Sequence, residues 1–236
     1  MIYLGMVGAK EAELRQSVNA NNIANASTKG FKQALVSTQS IDLVGSKNTT
    51  RSYAMTRISG VDTSDGPIVF TGNSSDLTVK SPSWFALSDG DETFLSKNLN
   101  LNVSSSGLLI DSTGHPVQGV QGEIYIPENS KLDVNESGVV FAKLPNQQLL
   151  VQVGQIKVLD AQPSTISINS KGRVVTSLEN VSLDPNVLVG SQQQSNVNQI
   201  TSAMDSMAIQ NQYKMNMKIF ETAQKISSSS DKLIER

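Results

Sequence analysis

Apolar residues near the start of the chain recur at helical spacing and form one stripe, which consists of Leu4, Val7, Leu14 and Val18. The same spacing then reaches Asn21 and Asn25, where amides replace apolar side chains. An amide among apolar groups weakens packing but fixes register, because it must find a polar partner. The pattern therefore predicts an N-terminal helix that takes part in a specified assembly.

Helix-ending residues follow this stripe. Ser27 and Thr28 precede Gly30, a residue suited to a left-handed cap, and the aromatic Phe31 comes next. We expect the helical segment to occupy residues 1–30 and the chain to turn outward at Gly30 and Phe31.

The C-terminal segment predicts a second, longer helix. No proline follows Pro185 and no glycine follows Gly190, so residues 191–236 contain neither helix breaker. Two apolar stripes run along it: Ala208, Met215, Ile219, Ile226 and Leu233 on one face, and Met207, Tyr213, Met217 and Phe220 on its neighbour. Two stripes favour a helix that contacts several partners, among them the N-terminal helix.

The middle of the chain, residues 71–190, predicts an all-β domain of short alternating strands separated by Gly, Asn, Asp and Pro turns. The expected strands are Asp76–Val79, Trp84–Ser88, Leu108–Asp111, Gly122–Ile126, Lys131–Val134, Val139–Leu144, Leu149–Leu159, Ser164–Ile168 and Arg173–Thr176. Residues 31–70 are polar and weakly patterned, which indicates an extended connector or hairpin. The predicted fold class is α+β: two long terminal helices pair as a coiled-coil-like inner domain, with the connector and the β domain inserted between them.

Composition narrows the functional classes. Of 236 residues, 17% are charged and 5% aromatic, and the net charge of −2 does not favour nucleic acid or an anionic membrane as a partner. The chain has no cysteine, which excludes disulfides and thiolate chemistry. No apolar run is long enough to span a bilayer. The N-terminus lacks a basic region followed by a long apolar region, so we expect no cleavable secretory signal.

Candidate catalytic groups are few. The single histidine, His115, lies in a turn-like Thr-Gly-His-Pro sequence, which favours a loop residue over a catalytic base. Asp89 and Asp91 flank Gly90 but lack the remaining ligands of a calcium loop, so a hairpin turn is the better interpretation. The Trp84-Phe85 pair favours a buried strand over a stacking platform. We therefore expect no enzymatic activity, no cofactor and no metal site.

Several motifs carry a resemblance to a known family. Residues 21–32, Asn-Asn-Ile-Ala-Asn-Ala-Ser-Thr-Lys-Gly-Phe-Lys, resemble the N-terminal signature of the bacterial flagellar axial proteins, the rod, hook and hook-associated group. Further similar segments follow in the family's order over nearly the whole chain: 71–79, 84–87, 106–119, 122–127, 153–158 and Ser195-Asn196-Val197-Asn198 before the last helix. The chain departs from the family at Lys80–Ser83, which usually holds glycines, and at Phe94–Asn98, which usually reads Tyr/Phe-Thr-Arg-x-Gly.

The resemblance implies a structural subunit of the flagellar basal-body rod, most like the shorter proximal rod member, which assembles with its own copies and neighbouring rod proteins and transmits torque across the periplasm. It implies export by the flagellar type III apparatus, without a cleaved signal, and no insertion into the membrane. A distal rod or hook subunit is the alternative within the family, and a secreted β-domain binding module on a coiled-coil stalk is the alternative from another class. The expected assembly interface comprises Leu4, Val7, Leu14, Val18, Asn21, Asn22, Asn25, Gly30, Phe31, Asn196, Asn198, Met204, Ala208, Met215, Ile219, Phe220, Ile226 and Leu233.

Overall fold

A computed structural model describes residues 2–44, 49–90, 92–127, 130–144, 150–183 and 185–234, without the side chains at positions 2–4, 42–44, 49–53, 227 and 230–234. The predicted interface side chains of Leu4 and Leu233 therefore lie outside the described part, as does Asp91. The chain divides into two compact units. The first contains the described parts of Met1–Ala26, Ala34–Ser59 and Val197–Arg236, and the second contains those of Ser27–Gln33 and Gly60–Asn196. The four-segment division expected from the sequence stays a prediction.

The two terminal helices confirm the α+β class, whereas coiled-coil geometry stays a prediction. Helix α1 spans Ile2–Ala24 and helix α2 spans Gln199–Ile234. At about 1.5 Å per residue, the 36 residues of α2 extend about 54 Å. Asn198 begins α2 because its Oδ1 accepts hydrogen bonds from the backbone N–H of Ile200 at 3.0 Å and of Thr201 at 3.2 Å.

The segment after α1 forms a two-stranded sheet of β1 (Ala34–Val44) and β2 (Thr49–Val61). Two strands alone are marginally stable in water. Helix α1 supports the part of this two-stranded sheet that lies in the first unit, because the Glu11 carboxylate accepts a hydrogen bond from the backbone N–H of Thr56 at 2.5 Å. The Thr38 and Thr56 hydroxyls also bond to each other, at 2.9 Å.

The regular elements of the second unit are one 3₁₀ turn and short strands. They are β3 (Ile68–Phe70), β4 (Asp76–Val79), β5 (Ser83–Asp89), β6 (Glu92–Ser96), β7 (Asn98–Val103), β8 (Leu109–Asp111), β9 (Gln118–Gly119), β10 (Gly122–Glu123), β11 (Lys131–Val134), β12 (Val139–Lys143), β13 (Leu150–Gln155), β14 (Val158–Asp160), β15 (Ile166–Ile168), β16 (Val174–Thr176), β17 (Val187–Val189) and β18 (Ser191–Gln193). A short 3₁₀ turn, Pro163–Thr165, precedes β15.

Two of the expected strands, Asp76–Val79 and Lys131–Val134, are confirmed residue for residue. The single strand expected over Leu149–Leu159 is wrong in its described part. The chain divides there into β13 and β14, because β13 pairs with β12 whereas β14 pairs with β5. The expected strand over Ser164–Ile168 starts only at Ile166, since the 3₁₀ turn takes up the preceding residues.

The strands form sheets ordered β14-β5-β6-β16-β15, β17-β4-β7-β8 and β11-β12-β13, with two small pairs, β18-β3 and β10-β9. Strand β5 shows how the core is divided. Phe85 and Leu87 belong to the larger apolar core, whereas Trp84 and Ala86 belong to a smaller one. Because successive side chains of a strand point to opposite faces, β5 contributes to both cores.

Candidate assembly surface

The amide-rich segment after α1 starts the β1–β2 hairpin. Asn22 is 3% exposed, and its Nδ2 donates to the backbone oxygen of Ala34 at 3.0 Å. Its Oδ1 accepts the Ala34 N–H at 2.9 Å, so the amide bonds to the strand as a neighbouring strand would. Asn21 is exposed, and half-buried Asn25 donates to the Asn21 backbone oxygen one helical turn earlier. Asn22 thus fixes the position where the chain leaves the helix.

Gly30 does not cap α1, because the helix ends at Ala24. It lies in the following turn, where the Phe31 N–H bonds to the Thr28 oxygen, and its φ of 73° is the left-handed conformation that favours glycine. The Gly30 N–H also bonds to the backbone oxygen of Gln193 at 2.9 Å, in the same unit. Gly30 therefore turns the chain, as expected, in a loop rather than at a helix cap.

Small and polar residues line the contact between α1 and α2, which run antiparallel. A Cβ at Gly8 would lie 2.9 Å from the Asn216 Nδ2, and one at Gly5 would lie 3.2 Å from the Asn216 backbone oxygen. Ala12 and Ile209 are 2% and 5% exposed. The absence of side chains at the two glycines lets the helices approach closely at this end of the contact.

Hydrogen bonds between the two helices continue this contact toward the C-terminal end of α1. The Nδ2 of buried Asn19 donates to the backbone oxygen of Ser202 at 2.7 Å. Gln16 Nε2 donates to the Ser206 hydroxyl at 2.6 Å. The sequence predicted amides in the face of α1 that contacts a partner helix, but it placed them at Asn21 and Asn25, whereas Asn19 makes this contact. The run of small residues near the start of α1 is the signal that would have revealed this face.

The described residues of the stripe that begins at Ala208 do not pack on α1. Met215, Ile219 and Ile226 are 62%, 50% and 62% exposed, and Ala208 is exposed. Ser202, Ile209 and the half-buried Phe220 lie on the face toward α1. The physical reason is the close approach at the glycines of α1, which suits small and polar partners.

On α1, the expected interface residues are unevenly buried. Val18 is buried, whereas Val7 and Leu14 are half-buried. A groove of about 540 Å³ runs between the two helices and is lined by Ala12, Glu13, Gln16, Ser17, Ala20, Ile209, Gln210, Tyr213 and Lys214. The structure thus brings Phe220 and the glycine-containing end of α1 together and leaves the methionine and isoleucine stripe free.

Large apolar side chains on the outer face of α2 form a surface that we call the α2 stripe: Ile200, Met204, Met207, Met215, Ile219 and Ile226, each 50–73% exposed. Met204, Met215 and Ile226 are spaced by eleven residues, which is about three helical turns and keeps a stripe nearly straight along the helix. Contiguous exposed apolar surface marks a contact site.

Asn196 joins three segments of the second unit before α2 begins. Its Oδ1 accepts the Gln33 N–H at 2.8 Å, and its Nδ2 donates to the backbone oxygens of Asp62 at 3.0 Å and Ser64 at 3.2 Å. Half-buried Phe31 accepts the Asn196 N–H through its backbone oxygen. Asn196 thus has a structural role within the chain, and an additional assembly role stays a prediction.

Asp89, the last residue of β5, belongs to an ion-pair network. Asp89 contacts Lys171 at 2.6 Å and Arg173 at 2.7 Å, and the Lys171 hydrogen bond lowers the pKa of this half-buried carboxyl. Arg173 also lies 3.0 Å from the His115 Nε2. In the described part of the chain, no group of three or more His, Cys, Asp or Glu residues is placed to hold a metal ion. No described helix is long and apolar enough to cross a membrane.

Comparison with known proteins bears directly on residues 2–32, which match the family model described as flagella basal body rod protein. This range contains α1, the amide segment and the Gly30 turn. Over this range the chain resembles the flagellar basal-body rod proteins. The motif at 21–32 therefore carries the family resemblance that the sequence indicated.

Relatives extend the similarity to nearly the whole chain. The flagellar basal-body rod protein FlgF of Escherichia coli K12 is 27% identical over 99% of this chain and 97% of its own length. FlgF of Salmonella typhimurium LT2 is 26% identical over the same shares. FlgF of Buchnera aphidicola from Schizaphis graminum is 25% identical over 92% of this chain and 91% of its own length. Proteins named FlgG and hook protein FlgE also match, at 23–26% identity.

Proposed function

We propose that the chain is a structural subunit of the flagellar basal-body rod, that it resembles the proximal rod protein, and that it assembles through its terminal helices with other copies and with neighbouring rod proteins. It has no catalytic role and holds no cofactor. Export through the flagellar type III apparatus and a final position in the periplasmic part of the rod belong to the same proposal. Similarity to flagellar basal-body rod proteins along nearly the whole chain supports the structural role.

The α2 stripe is the single observation that carries the assembly mechanism. One face of α2 packs on α1 through Ser202, Ile209 and Phe220, while the opposite face leaves six large apolar side chains exposed. Burial of one such side chain contributes about 1.5–3 kcal/mol, so even partial burial of six offsets much of the cost of association. A neighbouring subunit that covers this face provides many contacts along one long helix.

We propose that the subunits assemble head to tail into a filament rather than into a closed oligomer. In a head-to-tail contact, the surface that binds differs from the surface that is bound, and such contacts build helical filaments when the rotation does not close. In the mechanism we propose, the α2 stripe of one subunit contacts a different face of the next. Torque is then transmitted through many contacts fixed by geometry.

A charge on the stripe tests this mechanism. The Met215→Asp variant places a carboxylate at a position that is 62% exposed in the single chain. We expect its unfolding midpoint in urea to match that of the unchanged protein, because the position is already in water. In a strain that lacks the native gene, the variant is expected to restore neither rods nor swimming.

Gln224→Asp is the matched control, since Gln224 is an exposed polar residue of α2 outside the stripe. It adds the same charge to the same helix and is expected to support rod formation. Normal rods with Met215→Asp, at normal cellular protein levels, would contradict the proposal.

A further inference from the structure

Two lysine side chains of the second unit are buried around one carboxylate. The side chains of Lys32 and Lys97 are 1% and 0% exposed, and their Nζ atoms lie 3.6 and 3.8 Å from the Asp65 Oδ1. The sequence did not predict that these three residues meet. We call Lys32, Asp65 and Lys97 the lysine cluster. Two ammonium groups sharing one carboxylate leave one buried positive charge without a full counter-charge, which is costly in a poorly hydrated site.

Hydrogen bonds keep both amines in place whatever their charge. Lys97 Nζ donates to the Ser83 backbone oxygen at 2.6 Å and to the Ser81 hydroxyl at 3.2 Å. A neutral amine has two N–H groups, so it satisfies both acceptors without the third proton. Lys32 Nζ donates to the Ser64 backbone oxygen at 2.5 Å and to the Gln193 Oε1 at 2.9 Å. Loss of one proton therefore removes the excess charge and leaves the hydrogen bonds intact.

The surrounding charges indicate which lysine gives up the proton. Lys32 is the closer of the two to Asp65 and is also attracted by Asp62. Lys97 is attracted by Asp65 and Asp160, is repelled by Lys32, and lies fully enclosed. Burial, the largest effect, lowers the pKa of Lys97 to about 7. Burial also lowers the pKa of Lys32, against the attraction of Asp65.

The aromatic and acidic neighbours complete the cluster. The centre of the Trp84 ring lies 4.3 Å from the Lys97 Nζ and attracts the charged form of this lysine. This attraction limits the lowering of the Lys97 pKa but does not remove the excess positive charge. Burial raises the pKa of Asp65, but hydrogen bonds from the Ser81 N–H and hydroxyl outweigh it and bring the value down to about 2. Asp65 therefore stays ionised at neutral pH and provides one negative charge only.

We propose that folding of the second unit expels a proton from Lys97, so that the stability of this unit depends on pH near neutrality. The unfolded chain keeps this proton up to a pKa of about 10.4. Between about pH 7 and that value the unfolded state binds more protons than the folded one, so stability rises with pH. Acidification toward pH 7 removes this gain, and protonation of Asp65 causes a separate loss below about pH 4.

The single tryptophan of the chain gives a direct readout, because Trp84 lies in the cluster. Urea unfolding of the full chain, followed by tryptophan fluorescence from pH 6 to 9, is expected to show little change below pH 7. Above it, the folding equilibrium constant is expected to rise by up to about tenfold per pH unit. A flat profile between pH 7 and 9 would overturn the proposal.

Lys97→Met removes the titrating group and is expected to flatten this rise. Lys131→Met changes an exposed lysine of β11 and is expected to keep it. If both variants have the same slope as the unchanged protein, Lys97 is not the group that releases the proton.

A measurement on the unchanged protein decides the matter even if Lys97→Met fails to fold. Carbon-13 NMR of the lysine ε-carbons is expected to show one signal with a midpoint near pH 7, which belongs to Lys97. A spectrum in which every lysine of the folded chain titrates above pH 9 excludes proton release. In a folded Lys97→Met variant, persistence of the signal near pH 7 would assign the proton to another lysine and overturn the proposal as well.

Discussion

Gly8→Leu tests the contact between the terminal helices. A Cβ at position 8 lies 2.9 Å from the Asn216 Nδ2 and 3.0 Å from its Cγ. With alanine, the Asn216 side chain can rotate away, and replacing a helical glycine contributes about 0.8–1.0 kcal/mol of stability. Leucine adds three further carbon atoms, which the closely approaching helices do not accommodate. Overpacking of this kind costs about 1–3 kcal/mol.

The two effects give a net loss of up to about 2 kcal/mol for Gly8→Leu and a neutral or favourable change of up to about 1 kcal/mol for Gly8→Ala. The assay is urea unfolding followed by circular dichroism at the helical band, with Trp84 fluorescence recorded in parallel. We expect the helical transition of Gly8→Leu to shift to lower urea while the fluorescence transition of the second unit does not move.

Lys10→Leu is the matched control for the added leucine, because Lys10 is an exposed residue of the same helix. It should leave the helical transition within about 0.5 kcal/mol of the unchanged protein. A Gly8→Leu chain as stable as the Gly8→Ala chain would refute the close helix contact described here.

Three further substitutions test separate parts of the fold. Gly66→Ala places a Cβ 2.2 Å from the Gln194 backbone oxygen, and the forced backbone shift should cost about 2–4 kcal/mol in fluorescence-monitored unfolding; a loss under about 1 kcal/mol would contradict this. Asn22→Asp keeps the acceptor for the Ala34 N–H but loses the donor to its oxygen, so faster proteolysis of the β1–β2 hairpin is expected, and an unchanged cleavage rate would exclude this anchor. Asn198→Ala removes the cap of α2 and should cost about 1 kcal/mol, whereas Asn198→Asp should restore it; equal helical stability of the two variants would argue against the cap.

Local chemistry made the ends of the chain predictable. The absence of proline and glycine after Gly190 indicated α2, and Asn198 begins it as a side chain that accepts backbone N–H groups. The Gly30 turn was predictable for the same reason, since a positive φ favours glycine. Neither feature depends on distant parts of the chain.

The helix face in contact was not predictable from hydrophobicity. The most apolar stripe of α2 is the exposed one, because the partner face of α1 presents Gly5, Gly8 and Ala12 and accepts small or polar residues. The hydrophobic stripe of α2 therefore marks the exposed face of the helix and not the face that contacts α1. To tell these two faces apart, one must know which residues permit two helices to approach closely.

Strand pairing set a second limit on what the sequence could predict. Apolar residues recur at short intervals across residues 149–159 without a clear turn signal, but β13 and β14 pair with different strands. Lys97 lies between β6 and β7, and its side chain is fully buried. A lysine at this position breaks the alternation of apolar and polar residues, so the sequence does not indicate its burial. Burial of a lysine side chain depends on partners far along the chain, here Asp65 and Trp84.

The central claim is that the α2 stripe becomes covered when subunits assemble. The chain has no cysteine, so a single cysteine introduced as Ile219→Cys is the only thiol available to a maleimide. Labelling rates are compared between the purified chain and isolated rods that contain it. The account predicts rapid labelling of the free chain, where Ile219 is 50% exposed, and strong protection in rods. Equal labelling rates in the two states would contradict it.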